Sequence, residues 1–284
     1  MKNYEDYIYL AHMEVISGPV VVTEHMVVES LFLAREVWVD IYAPAGIRDI
    51  GSSDLLLIND GQDLPLMRIE AMLEELYSNH RISPMVIAGI HAGPDRKDEY
   101  GTAGIPDYMG RGARAGAYTA FVLEELVPAL SDWYQDHTFK SKSIAGFSLG
   151  ALSALDILWH HPKEFVRAGL FSGSFWWRSK DKTDAGYDEN VHRIMHGQIA
   201  AGSYYPGLRF FFECGTEDER EDRNGNGVID SIDDTLDLIG ELVKKGYERE
   251  KDICYIEVPG GRHDVATWAQ VMPAFLQWLN EKPG

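Results

Sequence analysis

The chain has 284 residues, 45% hydrophobic and 25% charged, an ordinary globular mix that supports a packed core and, at this length, one large α/β domain over residues 1–284. Its formal net charge of -19 repels phosphate backbones and anionic lipid, which argues against nucleic acid and membranes as partners, while cations are easily attracted. No window approaches eighteen apolar residues, and MKNYEDYIYL lacks the apolar run of a secretory leader, so a cytoplasmic location is expected, although a chain with its leader removed would read the same.

The first third reads as strands. VVVTEHMVVESLFL and REVWVDIYAP alternate apolar and polar residues, as half-buried antiparallel strands do. LLLIND (55–60) is a short apolar run ending in DGQD, a buried strand entering a loop. LMRIEAMLEELYSN has helical spacing, PMVIAGI (84–90) is a buried strand, and AYTAFVLEELVPALSDWY is helical at least to Pro128. SIAGFS is a very short strand, and LGALSALDILWHH is a helix ending before Pro162. AGLFSGS (168–174), LRFFFECG (208–215) and ICYIEVPG (253–260) are three more buried strands. The two cysteines, Cys214 and Cys254, fall in the last two of these and make no disulfide framework; free thiols are expected. TLDLIGELVKKG is a helix with Lys244 and Lys245 in its last turn and Gly246 as its stop, and VATWAQVMPAFLQWLN closes the chain as a helix. Strands alternating with helices predict a mainly parallel sheet covered on both faces, with ligands at the carboxyl ends of the strands.

Three segments at those ends carry chemistry. Gly146-Phe147-Ser148-Leu149-Gly150 fits G-x-S-x-G between a strand and a small-residue helix, the context of a nucleophile elbow; the plainer alternative is a glycine-rich turn with an N-cap serine. The pattern predicts Ser148 as nucleophile on a strained turn, with a helix N-terminus favouring negative charge beside it. A serine needs a base. Of ten histidines, His263 in VPGGRHDVATW lies after a buried strand and late in the chain, as the order Ser…Asp/Glu…His requires. His160 and His161 sit at a helix end as dipole partners, His91 follows a strand end and is a candidate for lining a pocket, and His192 with His196 lack the flanking pattern of a zinc site and read as a solvated helical face. The acid should follow LRFFFECG, where Glu217 and Asp218 are both candidates; Glu213 reads as strand, and Asp264 is too close in sequence to reach the ring of His263.

A second pattern begins beyond Asp218. Asp222, Asn224, Asn226 and Asp230 supply side-chain oxygens at positions one, three, five and nine of a twelve-residue calcium loop. Gly227 takes the sharp turn at six, Val228 offers its carbonyl at seven, Ile229 is the apolar anchor, and Asp233 stands at twelve where glutamate is usual. That last departure resembles the single calcium loops of dockerin modules. No long helix precedes the loop, so it is not a whole EF-hand, and a polar Asx-rich turn is the competing reading. The expectation is a calcium-loop-like insertion at about 219–234 whose ion is structural, pinning the loop that carries Asp218.

With these residues placed, the chain resembles the esterase family that includes esterase D and the enterochelin-esterase-like hydrolases. The matching motifs run from about Val37 to Leu279: VWVDIYAPAG, LLLINDGQDL, YTAFVLEELVPAL, GFSLGALSAL, SGSFWW, CGTEDE and GGRHDVATW. The resemblance implies an α/β-hydrolase fold without a large lid domain and ester cleavage with no catalytic cofactor. It maps the nucleophile to Ser148, the base to His263 and the acid to Asp218. It also implies oxyanion donors at the backbone N–H groups of Leu149 and Gln62. The calcium-like insertion is not general in the family, and some members work with a Ser-His pair alone.

The expected activity is a serine carboxylic-ester hydrolase acting through an acyl-enzyme on small or aromatic esters. Phe175, Trp176 and Trp177 follow a strand end and are candidates to stack on an aromatic substrate, with core packing the equal alternative. The alternatives are a specialised esterase for siderophore trilactone, feruloyl or acetyl-sugar esters, or a non-catalytic calcium-stabilised binding module on the same scaffold. A strongly anionic siderophore would need basic residues in the pocket, for which Arg96 and Arg178 are candidates.

Overall fold

A computed structural model describes residues 20–47, 53–134 and 138–281; the segment read above for a leader lies outside them. Among the described residues, β1 (Val21–Ser30), β2 (Arg35–Pro44), β3 (Asp54–Asn59), β4 (Met85–Ile90), β5 (Ser141–Phe147), β6 (Arg167–Phe171), β7 (Arg209–Glu217) and β8 (Ile253–Arg262) form one sheet in the order β1-β2-β4-β3-β5-β6-β7-β8. β1 pairs antiparallel with β2, and β2 with β4, while the strands from β4 to β8 run parallel. Helices α1 (Ile69–Ser78), α2 (Arg96–Glu99), α3 (Ala115–Ala120), α4 (Val127–Trp133), α5 (Leu149–His160), α6 (Glu189–His192), α7 (Ile194–Ala201), α8 (Asp230–Lys245) and α9 (Val265–Asn280) connect and cover them.

The two-residue period of the strands divides the core between the two faces. Leu55 and Leu57 of β3 join one apolar cluster with Leu152 and Leu155 of α5 and Leu238 of α8. Leu56 and Ile58, one residue out of phase, join the other with Leu73 of α1 and Phe275 of α9. In β7, Phe210 and Phe212 face the α5 side and Phe211 the α9 side, so Glu213 shares the parity of Phe211 and lies on the face under α9. This is the mainly parallel, doubly covered sheet with an antiparallel N-terminal strand pair that the alternation of elements predicts, and it has the α/β-hydrolase arrangement.

Several details extend the sequence reading or differ from it. The helical stretch, expected at least to Pro128, continues past it to Trp133. A π turn over Phe121–Leu126 precedes that proline, and the wider turn relieves the clash a proline ring makes with the carbonyl four residues back. β6 ends at Phe171 rather than continuing through Ser174, because Ser172 takes φ 44 and turns the chain. α8 starts at Asp230, five residues before the predicted stretch, with Asp230 and Asp233 in its first turn where carboxylates suit the dipole. His192 and His196 do not share a solvated helical face: the backbone breaks at Arg193 between α6 and α7, and His196 is buried with Nε2 2.9 Å from the Asp234 carbonyl. Both cysteines are free, Cys214 buried and Cys254 half-buried. No helix among the described residues is long and apolar enough to cross a membrane.

Candidate active site

Ser148 caps α5 directly after β5 with φ 55 and ψ -119, a conformation few side-chain-bearing residues adopt. The flanking glycines are required by close approach. A Cβ on Gly146 would lie 2.4 Å from the Gly150 carbonyl oxygen, and one on Gly150 would lie 2.7 Å from Asp60 Oδ2. The Ser148 N–H donates to the Phe171 carbonyl at 2.9 Å, which fixes the elbow to the end of β6. Its hydroxyl is half-buried, and Oγ lies 3.4 Å from Ser174 Oγ.

His263 follows β8 immediately, and Asp264 caps α9 by accepting the Thr267 N–H at 2.9 Å. The His263 ring meets Trp268 edge-on with centroids 5.4 Å apart, and Trp268 stacks on Phe147, next to the nucleophile, at 4.9 Å. His263 is exposed at the surface, yet the protein packed around it lowers its pKa by desolvation; the Asp218 charge opposes that shift and the Arg96 charge adds to it. A lowered pKa keeps the imidazole neutral near neutrality, the form a general base needs.

The two candidate acids separate cleanly. Glu217 is exposed and accepts from Arg262 Nε at 3.2 Å. Both Asp218 oxygens are buried without a hydrogen-bond partner, and this carboxyl lies close enough to His263 for each to shift the other's pKa. Burial raises the Asp218 pKa, the nearby Ser172 hydroxyl and the His263 charge lower it, and Asp264 raises it. Ser148, His263 and Asp218 thus gather at the carboxyl ends of β5, β8 and β7 without closing hydrogen bonds on one another, and such bonds commonly tighten only around substrate.

The two backbone groups expected as oxyanion donors each fall in a first helical turn. Leu149 is the first residue of α5 and Gln62 lies in the short 3-10 turn Gly61–Asp63; N–H groups in a first helical turn have no intrahelical acceptor. Asp60 starts that turn at φ 62 and receives a two-pronged contact from Arg96, Nε to Oδ1 at 2.6 Å and Nη2 to Oδ2 at 2.7 Å. Arg96 Nη2 also lies 3.5 Å from the Phe147 carbonyl, and the guanidinium sits 5.0 Å above the Tyr100 ring. Arg96 is therefore already engaged by a carboxylate, and its place as an anion-binding residue is taken by a structural one.

The aromatic candidates divide. Phe175 and Trp177 are fully buried, Phe175 against Phe212 at 5.8 Å and Trp177 tight against Gly101 and Gly112, so packing accounts for both. Trp176 alone of the three is half-exposed, flanked by Arg111 at 5.1 Å and Arg178 at 5.7 Å. His91 is tied to Asp40, Nε2 to Oδ2 at 2.7 Å, and Asp40 also holds His25.

In the acidic loop, Asp222 accepts the N–H groups of Gly225 at 2.8 Å and Gly227 at 2.9 Å, and Gly225 and Gly227 both have positive φ. The side-chain amides of Asn224 and Asn226 reach Asp233 Oδ2 at 2.8 and 3.0 Å, which draws positions one, three, five and twelve together. Asp230 turns to Arg223 instead, accepting its N–H at 2.7 Å. The Arg223 side chain points to Asp234, 2.7 Å away, and not to Asp222. Among the described residues no group of three or more His, Cys, Asp or Glu side chains is gathered as a metal site. The oxygen-only donor set of Asp222, Asn224, Asn226, Asp233 and the Val228 carbonyl nevertheless has the chemistry a hard cation takes.

The family described as "Putative esterase" matches residues 30–279. The chain belongs to that esterase family. The chain is 25% identical over 245 residues to YbbA of Bacillus subtilis (strain 168), a protein described as uncharacterized, covering 84% of this chain and 90% of the relative. Among solved structures it is similar to the enterobactin esterase of Shigella flexneri, with a TM-score of 0.69 and 20% identity over 93% of this chain and 60% of that one. The chain thus spans about three-fifths of that protein's length. It is also similar to the siderophore hydrolase EstB of Aspergillus nidulans, with a TM-score of 0.65 and 17% identity over 92% of this chain and 96% of the other. These likenesses show the fold.

Sequence reasoning missed Ser172, Ser174, Trp268 and the Asp60–Arg96 pair. The SGS run after β6 was the available signal, and it read as strand.

Proposed function

We propose that this esterase cleaves small or aromatic carboxylic esters in two acyl-transfer steps. The strained Ser148 at the head of α5, on the same rim as His263 and as Asp218 with its two buried carboxylate oxygens, is the observation that supports it. Ser148 Oγ attacks the ester carbonyl while His263 takes its proton, and Asp218 stabilises the imidazolium. The Leu149 and Gln62 N–H groups face the developing oxyanion, each worth about 3 kcal/mol in such a role. The alcohol leaves with the proton from His263, and water then repeats the sequence on the acyl-enzyme. Turnover of p-nitrophenyl acetate together with stoichiometric fluorophosphonate labelling of Ser148 is the expected result; neither turnover nor labelling would favour the binding module.

The specialised reading has its own support in the similar structures of an enterobactin esterase and a siderophore hydrolase, and in Trp176, whose half-exposed ring lies beside two guanidinium groups two residues beyond Ser174. An aromatic acyl group stacked there would lower KM, so Trp176→Ala should raise KM for a feruloyl ester about tenfold and leave that for an acetyl ester little changed. Equal effects on the two would remove Trp176 from the substrate pocket.

We further propose that Asp222, Asn224, Asn226, Val228 and Asp233, with Asp230 through water, hold a structural calcium ion. Bound calcium would supply the loop with positive charge, where several of the chain's 45 acids crowd. At a hundredfold excess over its dissociation constant, calcium stabilises the folded chain by about 2.7 kcal/mol. The melting midpoint should rise with added calcium, and Asp222→Ala should abolish the rise. A midpoint indifferent to calcium and to EDTA would leave an Asx-rich turn.

A further inference from the structure

Glu213 is a carboxyl that the mechanism above does not use. It is fully buried in β7 on the face under α9, next to the site. Its Oε2 lies 3.4 Å from Ser172 Oγ, and its Oε1 has no partner. Ser172 is the junction of the site: its N–H donates to the Glu213 carbonyl at 2.8 Å, and its hydroxyl accepts from Trp268 Nε1 at 2.9 Å. Trp268 in turn carries the His263 ring. Glu213 Oε1 and both Asp218 oxygens are therefore unpaired buried acceptors on the two carboxyls that flank Ser172, near enough for the charge of one to act on the other, an arrangement that two ionised carboxylates would not tolerate.

We propose that Glu213 is a positioning residue: seated under Ser172, it holds one proton in common with Asp218 and so keeps the Asp218 carboxylate available to His263. The inference rests on the hydrolase reading given above. A proton on the deeper carboxyl turns an acceptor into a donor, which satisfies one of the orphaned oxygens and leaves a single negative charge to face the imidazole. The surroundings agree. Burial and then the Asp218 charge push the Glu213 pKa up to about 8, with Ser172 opposing. The other ionisable groups facing the pair are Cys214 and Tyr255, both neutral through burial, with Asp264 beside Asp218 and Arg96 beside His263. No lysine or arginine charge contributes to the Glu213 shift.

The test is the pH dependence of kcat on a neutral ester. In the wild type, Glu213 loses its proton above pH of about 8, two like charges meet, and kcat should fall about tenfold along an alkaline limb. Glu213→Gln keeps a donor that cannot ionise, so this limb should vanish. Ser172→Ala removes the hydroxyl that lowers the Glu213 pKa, so the limb should move to higher pH. Superimposable profiles for the wild type and Glu213→Gln, with turnover present, overturn this inference alone; a wild type without turnover overturns the hydrolase reading with it. Where Glu213→Gln fails to fold, the Ser172→Ala profile decides, and an unmoved limb counts against the proposal.

Discussion

Ser148→Ala should lower kcat for any ester by about 10⁴–10⁶-fold, the range found when a nucleophilic serine is removed from a working triad. The expectation follows from how little else the hydroxyl does. Among the described residues its one hydrogen-bond neighbour is Ser174 Oγ at 3.4 Å, a long contact, so losing it costs little stability. The strain at φ 55 belongs to the backbone and is the same for alanine. The melting midpoint should therefore stay within a degree or two while turnover and fluorophosphonate labelling disappear together. The small remainder should come from Leu149, Gln62 and substrate binding, which the substitution leaves in place. Wild-type-like kcat in a folded Ser148→Ala protein would end the acyl-enzyme proposal, because among the described residues no second serine at this rim has the elbow conformation: Ser172 has positive φ but is buried under Trp268.

The parts of this molecule legible in the sequence are those set by local period and local stereochemistry. Every strand of the sheet announced itself by apolar runs such as LLLIND or by alternation such as REVWVDIYAP, because a strand buried on one face or both must repeat every two residues. The elbow was legible because a serine at φ 55 needs small neighbours on both sides. What was not legible depends on contacts far along the chain. SGSFWW looked like a strand end presenting three aromatic rings, but Ser172 turns the chain and Gly101 and Gly112, some seventy residues earlier, close over Trp177. Glu213 looked like strand filler. Its parity with Phe211 already placed it on the α9 face, yet nothing in FFFECG says that Asp218, Ser172 and Trp268 meet there. Arg96 read as a candidate for binding an anionic substrate, and its pairing with Asp60, thirty-six residues away, was not legible.

That last pair yields the second large effect. Arg96→Ala should destabilise the fold by about 3–5 kcal/mol and lower kcat by about 10²-fold on neutral esters. Asp60 is 3% exposed, so without the guanidinium its charge is left buried and unpaired. Burial by itself would lower the Arg96 pKa, and the hydrogen bonds and charge of Asp60 more than offset this, which shows how tightly the two are matched. The kinetic loss follows from what Asp60 touches. Its left-handed backbone opens the turn that carries Gln62, and its Oδ2 lies 2.7 Å from where a Cβ on Gly150 would be, one residue past Leu149. Loosening Asp60 therefore displaces both donors proposed for the oxyanion. Asp60→Asn removes the buried charge, and the side chain of Arg96, 31% exposed, can then turn to water. The double variant Arg96→Ala/Asp60→Asn should accordingly be more stable than Arg96→Ala alone, a coupling that denaturant melts can measure. Arg96→Lys keeps a charge but not the fork and should recover part of the stability. If Arg96 instead served substrate, Arg96→Ala would raise KM for anionic esters only, with the melting midpoint and the turnover of neutral esters unmoved, and the structural account of this arginine would fail.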